Sequence, residues 1–184
     1  MTGKPKYWIW ALLTLPAVWI GLSLQTDRLS YGGAIHESGL WSAGFLLLTL
    51  CVTPARRLFA SSMWPRRLMY HRRALGVASF FYAALHTAIY LERKIPLGKV
   101  MSEGVRPDLL TGWLAFAIFT GLALTSNRKS VLKLGKRWQT LHRSVYLATA
   151  LMYVHWALSI FEYRVAIISF IGLIALQLLR WRKS

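Results

Sequence analysis

Six stretches of this chain are apolar over close to the length that crosses a lipid bilayer, and nearly every charged residue lies between them. A hydrocarbon core of about 30 Å takes ~20 helical residues. The pattern therefore predicts an all-α integral membrane six-helix bundle, one domain over 1–184, with spans at about 7–24, 36–53, 74–91, 109–126, 141–161 and 165–180. The second apolar run, 40–52, reaches spanning length only when extended back to His36, which places that histidine and Glu37 at its mouth.

Charge placement tests this reading. The chain carries 23 Lys and Arg against 6 Asp and Glu, with 55% hydrophobic residues. In a soluble domain such an excess would suggest nucleic-acid binding, but here the cations come in short runs between apolar segments, and nucleic acid is excluded as a partner. With the N-terminus inside, the inner segments hold seventeen cations, from Lys4 and Lys6 through Arg66, Arg67, Lys133, Lys136 and Arg137 to Lys183, and no acid. All 6 acids, Asp27, Glu37, Glu92, Glu103, Asp108 and Glu162, fall outside with the remaining cations. This is the positive-inside pattern with both termini cytoplasmic, and the cations face anionic lipid headgroups.

The first apolar run is longer than a signal-peptide core and no small-residue cleavage site follows Ser23, so it reads as an anchor, kinked at Pro16. Thr53-Pro54 reads as the stop of the second helix. Cys51 stands alone and reads as packing. The outer segment 92–108, with Pro96, Gly98, Gly104 and Pro107, is the longest external connection and the natural place for an outside partner.

The histidines sort by depth. His86 lies six residues before the outer acid Glu92 and His155 seven before Glu162, each on a span running outward. They therefore sit at nearly one level near the outer face. His142 opens the fifth span at the inner face, His71 precedes the third span at that level, and His36 stands at the outer start of the second. Depth matching is what a bis-imidazole heme site needs, because one planar macrocycle takes an axial nitrogen from each of two facing helices. Small residues, Gly76, Ala78, Ser79, Ala83 and Ala84 on one span and Ala148, Thr149 and Ala150 on the other, would leave room for such a ring. His142 and His155 are thirteen residues apart, roughly 20 Å along a helix but about 140° apart around it. Two hemes on that span would have to be approached differently, or the helix be distorted between them. An intramembrane histidine also serves as a hydrogen-bonding helix partner. His142 at the interface can be solvated, His71 among Arg66, Arg67, Arg72 and Arg73 reads more simply as a solvated loop residue, and for His36 both roles stay open.

The stretches HESGLWSAGFLLLTLCVTPARR, RRALGVASFFYAALH and LGKRWQTLHRSVYLATALMYVH resemble the MsrQ (YedZ) family, heme-binding membrane subunits of bacterial periplasmic methionine sulfoxide reductase systems, within the ferric reductase-like transmembrane superfamily. The resemblance covers residue 36 onward, and LGKRWQxLH with a second histidine thirteen residues later is its most specific part. It implies a non-catalytic electron-transfer subunit of the bacterial inner membrane carrying b-type heme, one or two, with FMN also ascribed to the family. Electrons would come from a cytosolic flavin reductase or the quinone pool and pass to MsrP, a periplasmic molybdopterin enzyme. The resemblance implies His86, His142 and His155 as iron ligands and matches His36 to a family histidine. Where the related NADPH oxidases carry a further histidine, this chain has Arg72 with His71 beside it. Those oxidases also append a flavin and nicotinamide domain after the sixth span, and none follows here, so the expectation is a separate donor at the basic inner surface. A different class, a small transporter or ion-binding protein using its histidines for protons or a metal, lacks the inverted repeats and intramembrane acids it would want.

Overall fold

In lipid every backbone N–H and C=O needs a partner within its own segment, and this chain meets that demand with helices throughout. The computed structural model describes residues 7–159 and 163–182, with side chains up to residue 178. Lys4, Lys6, Glu162, Lys183 and the end of the expected fifth span lie outside the described residues, as do the side chains of Arg180 and Arg182. Nine helices follow in order: α1 (Tyr7–Gln25), α2 (Tyr31–Leu58), α3 (Met63–Lys94), α4 (Lys99–Gly104), α5 (Pro107–Leu124), α6 (Arg128–Leu134), α7 (Lys136–Arg143), α8 (Val145–Leu158) and α9 (Tyr163–Arg182), with no strand among the described residues.

Among the described residues four of these, α1, α2, α3 and α5, are long and apolar enough to cross a membrane. The fifth expected span departs from the reading above. Its 141–161 stretch is not one helix, because the Ser144 hydroxyl and N–H both take the Leu141 carbonyl, at 2.7 and 3.1 Å. That carbonyl would otherwise accept from Val145, so the ladder breaks there. His142 falls on α7, and α8 keeps 14 residues, about 21 Å. Gly135, with φ of 51° and ψ of −124°, makes the corner between α6 and α7, a backbone shape that side-chain-bearing residues avoid.

Both intrahelical prolines are accommodated by a distant side chain. Pro54 does not stop α2, which runs on to Leu58. Proline has no N–H for the Leu50 carbonyl, and Gln177 of α9 supplies the donor, Nε2 to O at 3.1 Å. At Pro16 the α1 ladder opens and the buried Tyr82 hydroxyl enters it, accepting from the Ala17 N–H at 2.9 Å and donating to the Leu13 carbonyl at 2.8 Å.

Two cores share α2. One joins Leu13 and Ile20 of α1, Val52 of α2 and Tyr82 of α3; the other joins Leu46 and Leu50 of α2 with Phe119, Tyr153 and Leu173 of α5, α8 and α9. Apolar burial gives little drive between helices in lipid, so close approach and interhelical hydrogen bonds hold them. Ser42 and Ser79 each donate to the other's carbonyl at 2.9 Å across α2 and α3, both buried. The outward faces stay apolar, with Leu12, Leu114, Ile168 and Leu178 exposed as a lipid-facing surface requires.

Candidate functional site

Between α2, α3, α5 and α8, in the half of the bundle nearer α4, lies a cavity of about 420 Å³, within the ~300–1,000 Å³ typical of ligand sites. His86 of α3 and His155 of α8 both line it. Their ring centroids are 6.2 Å apart and their planes are 86° from parallel. Depth matching in the sequence thus corresponds to proximity in space.

Each imidazole is aimed by a backbone carbonyl. His86 Nδ1 lies 2.9 Å from the Ile35 carbonyl oxygen, and His155 Nδ1 lies 2.6 Å from that of Asp108. A carbonyl only accepts, so both rings carry their proton on Nδ1 and keep the Nε2 lone pair for a ligand. Carbonyl support of this kind fixes the orientation of metal-binding histidines. An imidazole nitrogen lies about 1.1 Å from its ring centre and a metal–imidazole bond is about 2.0–2.1 Å. One ion bridging two imidazole nitrogens sets ring centroids roughly 6.2–6.4 Å apart, so the 6.2 Å separation leaves the two rings within reach of one metal.

The same device holds both rings. In a helix the residue four positions on covers the flank of a carbonyl, and here those residues are Gly39, after Ile35, and Gly112, after Asp108. A Cβ at Gly112 would lie 2.9 Å from His155 Nδ1 and 3.0 Å from Cε1, and at Gly39 it would lie 3.3 Å from His86 Nδ1. Glycine leaves the Asp108 carbonyl open to His155 where any side chain would force a shift, and at Gly39 it spares His86 a tighter contact. Sequence reasoning missed both glycines and both carbonyls; the available signal was a glycine inside each of two apolar helices.

A family model described as "Ferric reductase like transmembrane component" matches residues 38–154, which include Gly39, His86, Gly112 and His142 and stop one short of His155. The chain belongs to the ferric reductase-like transmembrane family. Within that family it is similar to proteins named "Protein-methionine-sulfoxide reductase heme-binding subunit MsrQ" in Brucella ovis, Brucella canis and Brucella suis. Each is 37% identical, over 98% of this chain and 84% of the relative. No solved structure matches the chain at a significant level.

Of the other histidines of this ferric reductase-like chain, His142 and His71 do not line the cavity of the paired site. His142 Nε2 is 3.1 Å from the Thr125 hydroxyl, and its ring stacks on Trp138 at 3.9 Å, while Trp138 Nε1 donates to the Thr125 carbonyl at 2.9 Å. His142 and Trp138 thus close the C-terminal end of α5. His71 is not a loop residue: α3 begins at Met63, so its arginine-rich start is helical, and half-buried His71 meets the rings of Trp8 and Tyr70 edge-on. Arg72 donates to the Thr49 carbonyl of α2 at 3.2 Å. His36 lines the cavity near His86.

Of the small residues expected to make room for a ring, Ala83 lines the cavity, whereas Ala78, Ser79, Ala148 and Thr149 are buried in helix contacts. Much of the wall comes instead from α2 and α5, through Leu40, Ala43, Phe116 and Phe119. The segment 92–108 runs from the end of α3 through α4 to the start of α5 and is tied down by Lys94 to Glu103 at 2.6 Å and Arg106 to Asp108 at 3.0 Å. The Lys94 hydrogen bond holds the Glu103 carboxyl below its ordinary value of 4.5. Met101 and Val105 of this segment project outward, 86% and 77% exposed.

Proposed function

We propose that this chain binds b-type heme between His86 and His155 and conducts electrons across the inner membrane to a periplasmic methionine sulfoxide reductase, an MsrP-like molybdoenzyme. The observation that carries the reading is the pair of imidazoles, centroids 6.2 Å apart in one cavity, each held at Nδ1 by a backbone carbonyl, which leaves Nε2 for a ligand. Two imidazoles leave most of a metal's coordination sphere unfilled, and no three His, Cys, Asp or Glu come together as a metal cluster among the described residues. A macrocycle with four nitrogens of its own fits that deficit, and the apolar side chains that α2 and α5 give to the cavity, Leu40, Ala43, Phe116 and Phe119, suit its faces.

Bound there, heme supplies a reversible one-electron couple whose potential follows its axial ligands, their hydrogen bonds and its burial. The protein's part is positional. His86 and His155 would hold the iron, the Ile35 and Asp108 carbonyls keep the rings from rotating, and Phe116, Phe119 and Trp156 would exclude water from the cavity. Orientation follows the charge count, with both termini cytoplasmic, six crossings in total and the paired site toward the periplasm. A cytosolic flavin reductase or a quinone would deliver electrons at the basic inner face, and the acceptor would engage the segment 92–108. His142, bonded through Nε2 to Thr125 and stacked on Trp138, caps α5 in this reading, which favours one heme per chain.

Absorption spectra of purified His86→Ala and His155→Ala proteins, expressed with ample heme, test the site. Each variant should lose the bis-imidazole bands while staying folded in detergent. Retention of those bands in both variants would overturn the assignment.

A further inference from the structure

The cavity has a polar end that axial ligation leaves unused. On α3, Tyr90 follows His86 by four residues and Lys94 by eight, so the three form one stripe running toward the outer surface. Tyr90 and Lys94 both line the cavity. The Tyr90 hydroxyl oxygen is closed off from solvent and has no hydrogen-bond partner among the described residues. A buried hydroxyl of this kind is nearly always paired, so an orphan one marks a missing acceptor. On the opposite side Arg106, which also lines the cavity, stands two residues before Asp108, whose carbonyl orients His155. Two cations thus line the cavity that holds the two imidazoles.

We propose that Tyr90, Lys94 and Arg106 form a carboxylate-binding end of the cavity that takes the two acid side chains of the tetrapyrrole seated between His86 and His155; this rests on the heme reading above. Protoporphyrin carries both carboxylates on one edge and is otherwise apolar, and the cavity repeats that asymmetry, with Leu40, Ala43 and Phe119 lining it away from these groups. A carboxylate in apolar surroundings needs charge-assisted partners. Asp108 occupies two of Arg106's N–H groups, at Nε and Nη2, and leaves three of the five. The Lys94 ammonium meets both Glu103 oxygens, Oε1 at 2.9 Å and Oε2 at 2.6 Å, and keeps at least one of its three donors. The two ion pairs thus hold the cations at the rim while each keeps at least one donor for a second anion. The acid edge of the ring would then face the segment 92–108, where an outside partner engages.

The test titrates heme-free, full-length protein with ferric protoporphyrin IX and with its dimethyl ester, following the bis-imidazole bands and the rate of transfer to excess apomyoglobin. Wild type should hold the free acid about tenfold longer than the ester, as charge-assisted bonds require. The ratio should fall about threefold in Tyr90→Phe and approach one in Lys94→Gln/Arg106→Gln, with the bands intact. Comparing acid with ester inside each variant cancels any loss of folded protein. An unchanged ratio in these variants, or wild type with normal bands and no preference, would overturn this proposal alone. If wild type forms bis-imidazole bands with neither compound, the heme reading fails along with it.

Discussion

Gly112→Ala should damage the paired site while leaving the helix that carries it at least as stable. The new Cβ would lie 2.9 Å from His155 Nδ1, 3.0 Å from Cε1 and 3.3 Å from Cγ. Ordinary carbon contacts begin at about 3.5 Å, so the ring must withdraw by roughly half an ångström or more. The Asp108 carbonyl is fixed in α5, and the 2.6 Å bond to Nδ1 stretches or breaks as the ring swings. Losing such an outer-shell partner costs about 10–100-fold in metal affinity, or ~1.4–2.7 kcal/mol. Helix propensity alone works in the opposite direction, favouring alanine by up to ~1 kcal/mol. The two effects separate by assay, heme transfer to apomyoglobin for the site and thermal unfolding in detergent for the scaffold. Gly39→Ala, with contacts of 3.3 and 3.5 Å at His86, should show a weaker loss, under about tenfold. Gly44→Ala and Gly121→Ala, where nothing lies within 4 Å, are the controls and should leave heme retention unchanged. Wild-type retention and spectrum in Gly112→Ala, or equal loss in Gly121→Ala, would refute the argument that the glycines expose the carbonyls to the imidazoles.

Three further predictions follow from particular contacts. A pyridine-hemochrome assay of fully loaded protein should give one heme per chain, and His142→Ala should keep it; two hemes per chain, one lost with His142, would show that the Thr125 bond yields to a second iron. Gln177→Leu should cost about 1 kcal/mol by stranding the Leu50 carbonyl. The same change in a Pro54→Ala background, where an N–H is restored to that carbonyl, should cost much less, and equal losses in both backgrounds would break the link. Charge reversal at the exposed Arg66, Lys133 and Arg137 should slow heme reduction by a flavin reductase in inverted vesicles about tenfold at low salt, with the difference shrinking as salt rises. Indifference to salt and charge would point to the quinone pool as the source of electrons.

Several properties of this protein were determined by the sequence alone, because they depend on local counts. Helix content follows from apolar runs that can satisfy their backbone only internally, and the paired depth of His86 and His155 follows from residues counted back from the outer acids at a fixed rise per residue. Only the tertiary structure decided what depends on groups far apart in the chain. Pro54 looked like a helix stop because its rescue by Gln177 comes from 123 positions away, across a helix contact that no local pattern encodes. The fifth span looked continuous because the break turns on where one serine hydroxyl points. The carbonyls that aim the two imidazoles lie 51 and 47 residues from the rings they serve, and each glycine lies four residues beyond its carbonyl. A glycine in a helix shows in the sequence; that it stands beside a histidine rather than beside lipid is a fact of packing.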